Sequence, residues 1–130
     1  RLAQAAESRE PLSLYFHLPF CHERCTFCGC NVVISPRRGP EEKYLQMLEA
    51  ELDLLQEHLG KRRRLCQLHW GGGTPTYLTP DQCRRLHTAI NERFPFTEDA
   101  EVAIEVDLIV RHLDAMAELA RSLREACIRT

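Results

Sequence analysis

The chain has 130 residues, which fits one modest domain or part of a larger one. Apolar residues make up 44% and charged residues 28%, the balance of a globular fold rather than a disordered chain. The formal net charge of −2 gives no electrostatic case for nucleic acid or an anionic membrane, and no apolar run approaches the roughly 18–20 residues of a membrane span.

The opening RLAQAA reads as the end of a helix rather than a signal peptide. With no initiating Met, the sequence is expected to be processed or cut from something longer, residues 1–11 being the remnant of a preceding segment. LSLYFHL, residues 12–18, follows Pro11 as a short apolar and aromatic run and predicts a strand. A loop carrying CHERCTFCGC, residues 21–30, continues to about Pro40. A helix is then expected over residues 41–59, with Pro40 at its first position, Glu41 and Glu42 in its first turn and Gly60 just past its end. Its residues Tyr44, Leu45, Leu48, Leu52, Leu55 and Leu59 recur at three- and four-residue spacing and form one buried face. The run KRRR at 61–64 reads as a solvated patch after this helix.

LCQLHW, 65–70, predicts a second strand running into GGGTPT, and Thr79-Pro80-Asp81 opens a second helix to about Phe94. AEVAIEVD, 100–107, predicts a third strand, and Val110, Leu113, Met116 and Leu123 fall in helical register over about 110–127. The order β-α-β-α-β-α implies an α/β fold with a parallel sheet and right-handed crossovers.

Each strand has two unlike faces. Leu12, Leu14, Phe16 and Leu18 oppose Ser13, Tyr15 and His17; Cys66, Leu68 and Trp70 oppose Gln67 and His69; Val102, Ile104 and Val106 oppose Ala103, Glu105 and Asp107. A parallel sheet is normally covered on both faces. The apolar faces therefore meet the helices and the polar faces line the inside of a barrel, where a polar ligand offsets the cost of burying them. Cys66, on the apolar face, reads as a buried structural thiol, and Cys83 and Cys127 lie on helices without partner spacing.

Seven cysteines without a secretory signal point to a reducing compartment and to metal ligands rather than disulfides. Cys21, Cys25, Cys28 and Cys30 have the spacing C-x3-C-x2-C-x-C. Three such thiolates can reach separate irons of a four-iron cube and leave the fourth open. Four close cysteines also suit tetrahedral zinc, and Cys25-Thr-Phe-Cys28 alone resembles a redox pair. The triple glycine at 71–73, directly after a parallel strand, lets a ligand approach the backbone. It is not a P-loop, since no Gly-Lys-Ser/Thr follows.

PLSLYFHLPFCHERCTFCGCN resembles the cluster loop of the radical S-adenosylmethionine superfamily. With GCN after the third cysteine and HWGGGTPTYLTP downstream, it is similar to the oxygen-independent coproporphyrinogen III oxidases over about residues 12–107. The Gly-Cys pair argues against the related haem-chaperone branch. The resemblance implies a partial (β/α) radical-SAM barrel of about three β-α units. It implies a [4Fe-4S] cluster on Cys21, Cys25 and Cys28, with Cys30 a secondary residue nearby, and S-adenosyl-L-methionine at the open iron. It assigns Tyr15, Phe27, Gly72, Gly73, Thr74 and Glu105 to cofactor binding: Gly72 at the cluster-bound molecule, Phe27, Gly73 and Thr74 at a second, and Glu105 at the ribose hydroxyls. His17 reads as an interior histidine or a substrate neighbour.

The implied activity is anaerobic oxidative decarboxylation of coproporphyrinogen III to protoporphyrinogen IX in haem biosynthesis. The partners would be a porphyrinogen substrate and an electron donor, with no nucleic acid and no membrane, in a cytoplasmic and monomeric enzyme. After Asp107 the resemblance ends: Leu108 stands where the family has proline, and residues 108–130 read as a divergent or truncated helix. An incomplete, inactive iron–sulfur or zinc-binding fragment is the reading this tail supports.

Overall fold

A computed structural model describes residues 7–26, 28–105 and 121. Strands β1 (Leu12–Leu18), β4 (Leu65–Gly72) and β5 (Phe96–Ile104) form a sheet of order β1-β4-β5, parallel throughout. Helix α1 (Pro40–Leu59) connects β1 to β4 and helix α2 (Pro80–Arg93) connects β4 to β5. Three consecutive strands with alternating helices are the start of a (β/α) barrel, as the element pattern predicts. Val106 and Asp107 of the expected third strand, and the expected helix over about 110–127 apart from residue 121, with Met116 and Cys127, lie outside the described residues.

The helix boundaries follow the capping chemistry. Pro40 and Pro80 both occupy first-turn positions. The Thr79 hydroxyl accepts from the Gln82 amide at 3.1 Å and the Gln82 side chain accepts from the Thr79 amide at 3.0 Å, a reciprocal capping box. Glu41 is buried, its carboxylate taking the Gly39 amide at 2.6 Å. Both helices pack on one face of the sheet: Leu45, Leu48, Leu52 and Leu59 of α1 and Cys83, Leu86 and Ile90 of α2 meet Leu12, Phe16, Leu18, Leu68 and Trp70. Across the helix pair, Arg85 bridges Glu42 and Glu49, and Arg93 reaches Asp53 at 2.6 Å, which holds the Asp53 carboxyl below its usual range.

Three sequence expectations change. The third strand begins at Phe96, not near residue 100, because Leu65 pairs with Phe96 before the register shifts to Gln67 opposite Glu101. Cys66 is half-buried at an irregularity rather than on the apolar face: Leu12 pairs with Leu65 and Ser13 with Gln67, so Leu65 takes the core position and Cys66 is the extra residue. The cysteine loop is not wholly irregular, since β2 (Phe20–Cys21) and β3 (Val33–Ile34) form a short parallel pair within it.

The end of β4 is packed directly onto the end of β1. The Gly73 amide donates to Leu18 O at 2.8 Å and the Thr74 amide to Phe20 O at 2.8 Å. A Cβ on Gly73 would lie 2.7 Å from the Pro19 carbonyl carbon and 2.8 Å from Leu18 O and Phe20 O, all backbone atoms. Gly73→Ala is therefore expected to force the two segments apart. It should lower the urea midpoint and the thermal midpoint clearly, whereas Gly29→Ala, with nothing within 4 Å, should leave both almost unchanged.

His87 of α2 is buried and stacked on Phe96, ring centroids 5.3 Å apart, with no hydrogen-bond partner for Nε2. Burial holds its pKa below the ordinary histidine value. The unfolded chain then binds a proton that the folded chain refuses, so this residue costs stability as pH falls below the ordinary histidine pKa of about 6.5. Chemical denaturation between pH 7.5 and 5 should show stability declining with acid, and His87→Phe should flatten that decline.

Candidate functional site

Because the sheet is parallel, the carboxyl ends of β1, β4 and β5 lie together. Such an edge is where α/β folds bind ligands. The cysteine loop leaves β1 there, the glycine segment leaves β4, and Glu105 follows β5 directly, its amide extending the ladder to Trp70 O at 2.9 Å.

The polar face opposite the helices holds Tyr15, His17, Gln67, His69 and Glu105, as the strand alternation predicts. Glu105 accepts the Gly72 amide on Oε2 at 3.1 Å, and Oε1 lies 3.2 Å from His69 Nε2. Its side chain remains 52% accessible, so the carboxylate has acceptor capacity to spare. The Tyr15 ring lies 5.6 Å from that of His69, and its hydroxyl is 3.4 Å from His17 Nδ1. Partial shielding from water, then the Glu105 carboxylate, raise the Tyr15 pKa above its usual value, and its hydroxyl is a donor at neutral pH. His17 Nε2 is 2.8 Å from the Asn31 carbonyl, which can only accept. Nε2 therefore carries the proton, leaving Nδ1 to accept from Tyr15. His17 thus ties the far end of the cysteine loop to β1.

Cys21 is buried at the loop's root, and the Thr74 hydroxyl lies 3.5 Å from its sulfur. Cys25 is exposed and Cys28 half-buried, joined by a turn in which the Cys28 amide donates to Cys25 O at 3.2 Å. Cys30 is exposed, and no described cysteine forms a disulfide. Among the described residues, no three His, Cys, Asp or Glu side chains converge on a point suited to a single metal ion. A four-iron cube asks for no such point, because each thiolate binds its own iron. The donor set fits that group: soft thiols only, on one loop, rooted beside a side-chain-free backbone strip. Cys83, by contrast, is buried and its thiol is pushed up to about 12, so it remains an uncharged core residue.

Of the glycine segment, Gly72 has φ 109° and a Cβ there would meet the His17 ring at 2.4 Å. The amides of Gly72, Gly73 and Thr74 are all engaged within the protein. Any cofactor contact from these residues therefore uses their carbonyl and Cα atoms or the Thr74 side chain. Phe27 lies outside the described residues.

Two tyrosines escaped the sequence reading. Tyr44, there a member of α1's apolar face, donates its hydroxyl to His17 O at 2.6 Å and meets Phe20 edge-on. Tyr77, buried in the 3-10 turn Pro75–Tyr77, stacks on Phe20, contacts His22 at 4.6 Å and donates to the carbonyls of Ser35 and Arg37. An aromatic three residues beyond Thr74 was the signal available for the second.

Comparison with known proteins agrees with this geometry. The Radical SAM superfamily profile matches residues 15–129. The oxygen-independent coproporphyrinogen III oxidase of Salmonella typhimurium is 46% identical over 117 residues, covering 90% of this chain and 25% of that relative. That of Mannheimia haemolytica is 48% identical over 105 residues, covering 81% of this chain and 71% of the relative. The solved coproporphyrinogen III oxidase of Escherichia coli, described as a radical SAM enzyme, superposes with a TM-score of 0.83 at 43% identity, over 92% of this chain and 28% of that one. The chain spans about a quarter of the length of the first of these relatives. Matched over most of its length by the superfamily profile and by these relatives, it belongs to the radical SAM superfamily, in the family of oxygen-independent coproporphyrinogen III oxidases.

Proposed function

We propose that this chain forms the cluster- and cofactor-binding part of an enzyme that oxidatively decarboxylates coproporphyrinogen III to protoporphyrinogen IX. The observation that carries this reading is the joining of Cys21, the root of the C-x3-C-x2-C loop, to the Gly73-Thr74 segment at the carboxyl edge of the sheet, with Glu105 on the same edge.

In this reading Cys21, Cys25 and Cys28 hold a four-iron cluster, and Cys30 stays beside it. Bound there with S-adenosyl-L-methionine, such a cluster would supply one-electron reduction of the sulfonium, the chemistry by which hydrogen abstraction from substrate would begin. The chain's own residues bind and orient. Glu105, aimed by the Gly72 amide and His69, accepts hydrogen bonds from ribose hydroxyls. Tyr15, protonated and held by His17, offers a hydroxyl donor on the same face. Gly72 leaves the first cofactor room against the backbone, and Gly73, Thr74 and Phe27 flank a second cofactor molecule. His17 holds the far end of the loop to β1 through the Asn31 carbonyl, and Tyr44, bonded to His17 O, packs edge-on against Phe20 at the near end.

Serine substitutions test the ligand set. After anaerobic reconstitution, Cys21→Ser, Cys25→Ser and Cys28→Ser should each lose most of the bound iron and sulfide and the broad visible absorbance, while Cys66→Ser should retain them. A Cys21→Ser protein that still carried a full cluster would overturn the assignment.

A further inference from the structure

A cluster on the Cys21 loop needs an electron from outside the chain, and the surface beside Cys21 has the character of a landing site. β3 presents Val33 and Ile34 to solvent at 46% and 42% exposure. Ile34 is the register partner of Cys21, and the Ser35 amide donates to Cys21 O at 3.0 Å. This exposed apolar pair therefore lies one strand away from a ligand of the cluster.

Its surroundings are basic. Between residues 21 and 39 Glu23 is the single acid, against Arg24, Arg37 and Arg38, in a chain whose net charge is −2. All three arginines are exposed. The turn that bears two of them is held in place: the Tyr77 hydroxyl donates to Ser35 O at 3.2 Å and to Arg37 O at 3.0 Å, and the Arg38 guanidinium sits 5.6 Å from the Tyr77 ring centroid. His22, the neighbour of Cys21, packs against the same ring. A small apolar centre with a fixed basic rim suits brief, charge-steered encounters, in which the rim sets the association rate.

We propose that the β2–β3 pair and the turn at residues 35–38 form the docking face for an acidic, low-potential one-electron carrier protein. This rests on the cluster assignment above. The reduced carrier gives up one electron and is oxidised; the bound cluster takes it and is reduced by one electron; no proton or group moves. The positive rim selects the acidic partner, and Val33 and Ile34 supply the contact closest to Cys21.

The test uses the reconstituted full chain with an acidic flavodoxin as the probe. Stopped-flow absorbance follows cluster reduction, and titration calorimetry follows carrier binding with and without the cluster. The double variant Arg37→Glu/Arg38→Glu should lower the second-order reduction rate about tenfold at low ionic strength, a difference that shrinks as salt is added. Arg37→Lys/Arg38→Lys should keep the rate, and Val33→Ser/Ile34→Ser should weaken binding at every ionic strength. Dithionite, which needs no docking, should reduce all variants equally. If dithionite reduces every variant while carrier binding and rate are unchanged by both sets of substitutions, the docking face is refuted and the cluster assignment stands. A chain that never takes up a cluster refutes the assignment instead, and the binding titration still decides the docking face.

Discussion

Two backbone amides, those of Gly73 and Thr74, hold the root of the cysteine loop against the end of β4. They reach Leu18 and Phe20 across a gap in which no side chain fits, because a Cβ at residue 73 would strike three backbone atoms of the opposite segment. The rest of the site depends on this contact. It buries Cys21, brings the Thr74 hydroxyl to its sulfur, and sets Gly72 where its amide can orient Glu105. A glycine run after a strand is weak evidence when read alone. Its use here is to let two strand ends approach closely enough that a loop from one and a carboxylate aimed by the other share one edge.

The sheet has two unlike faces, and each has a separate task. Leucines, Phe16 and Trp70 on one face are covered by α1 and α2, which supplies the hydrophobic stabilisation. On the other face Tyr15, His17, His69 and Glu105 are linked among themselves, Gln67 accepts from the Ser13 hydroxyl, and the face remains accessible, Tyr15 at 57%. In a closed barrel such a face would be internal and would need a polar ligand. The outer helices and the inner polar network are coupled through Tyr44, whose ring belongs to α1 and whose hydroxyl holds the backbone of His17.

Much of this was legible in the chain. Period-two alternation separated the two faces of β1 and β4 correctly from Ser13 and Gln67 onward, because parallel strands between helices must sort their side chains. Pro40, Gly60, Thr79 and Pro80 marked helix ends through capping chemistry that is local in sequence. What stayed hidden was non-local. The register shift at Leu65 and Gln67 moved Cys66 away from the core, and nothing in LCQLHW announces it. β2 and β3 have two residues each, too few to show a period. The roles of Tyr44 and Tyr77 depend on partners 27 and 40–42 residues away. The family resemblance, rather than spacing alone, assigned Cys21, Cys25, Cys28, Tyr15, Phe27, Gly72, Gly73, Thr74 and Glu105 to one site; the fold brings the strand ends that carry the cysteine loop, the glycine segment and Glu105 to one edge.

The central claim is that this edge can hold a four-iron cluster with one iron open to S-adenosyl-L-methionine. Electron paramagnetic resonance on the anaerobically reconstituted and reduced chain, with and without that cofactor, addresses it most directly. The account predicts a four-iron signal whose shape and g-values change when the cofactor is added. A chain that binds no cluster, or a cluster whose signal is indifferent to the cofactor, would contradict it.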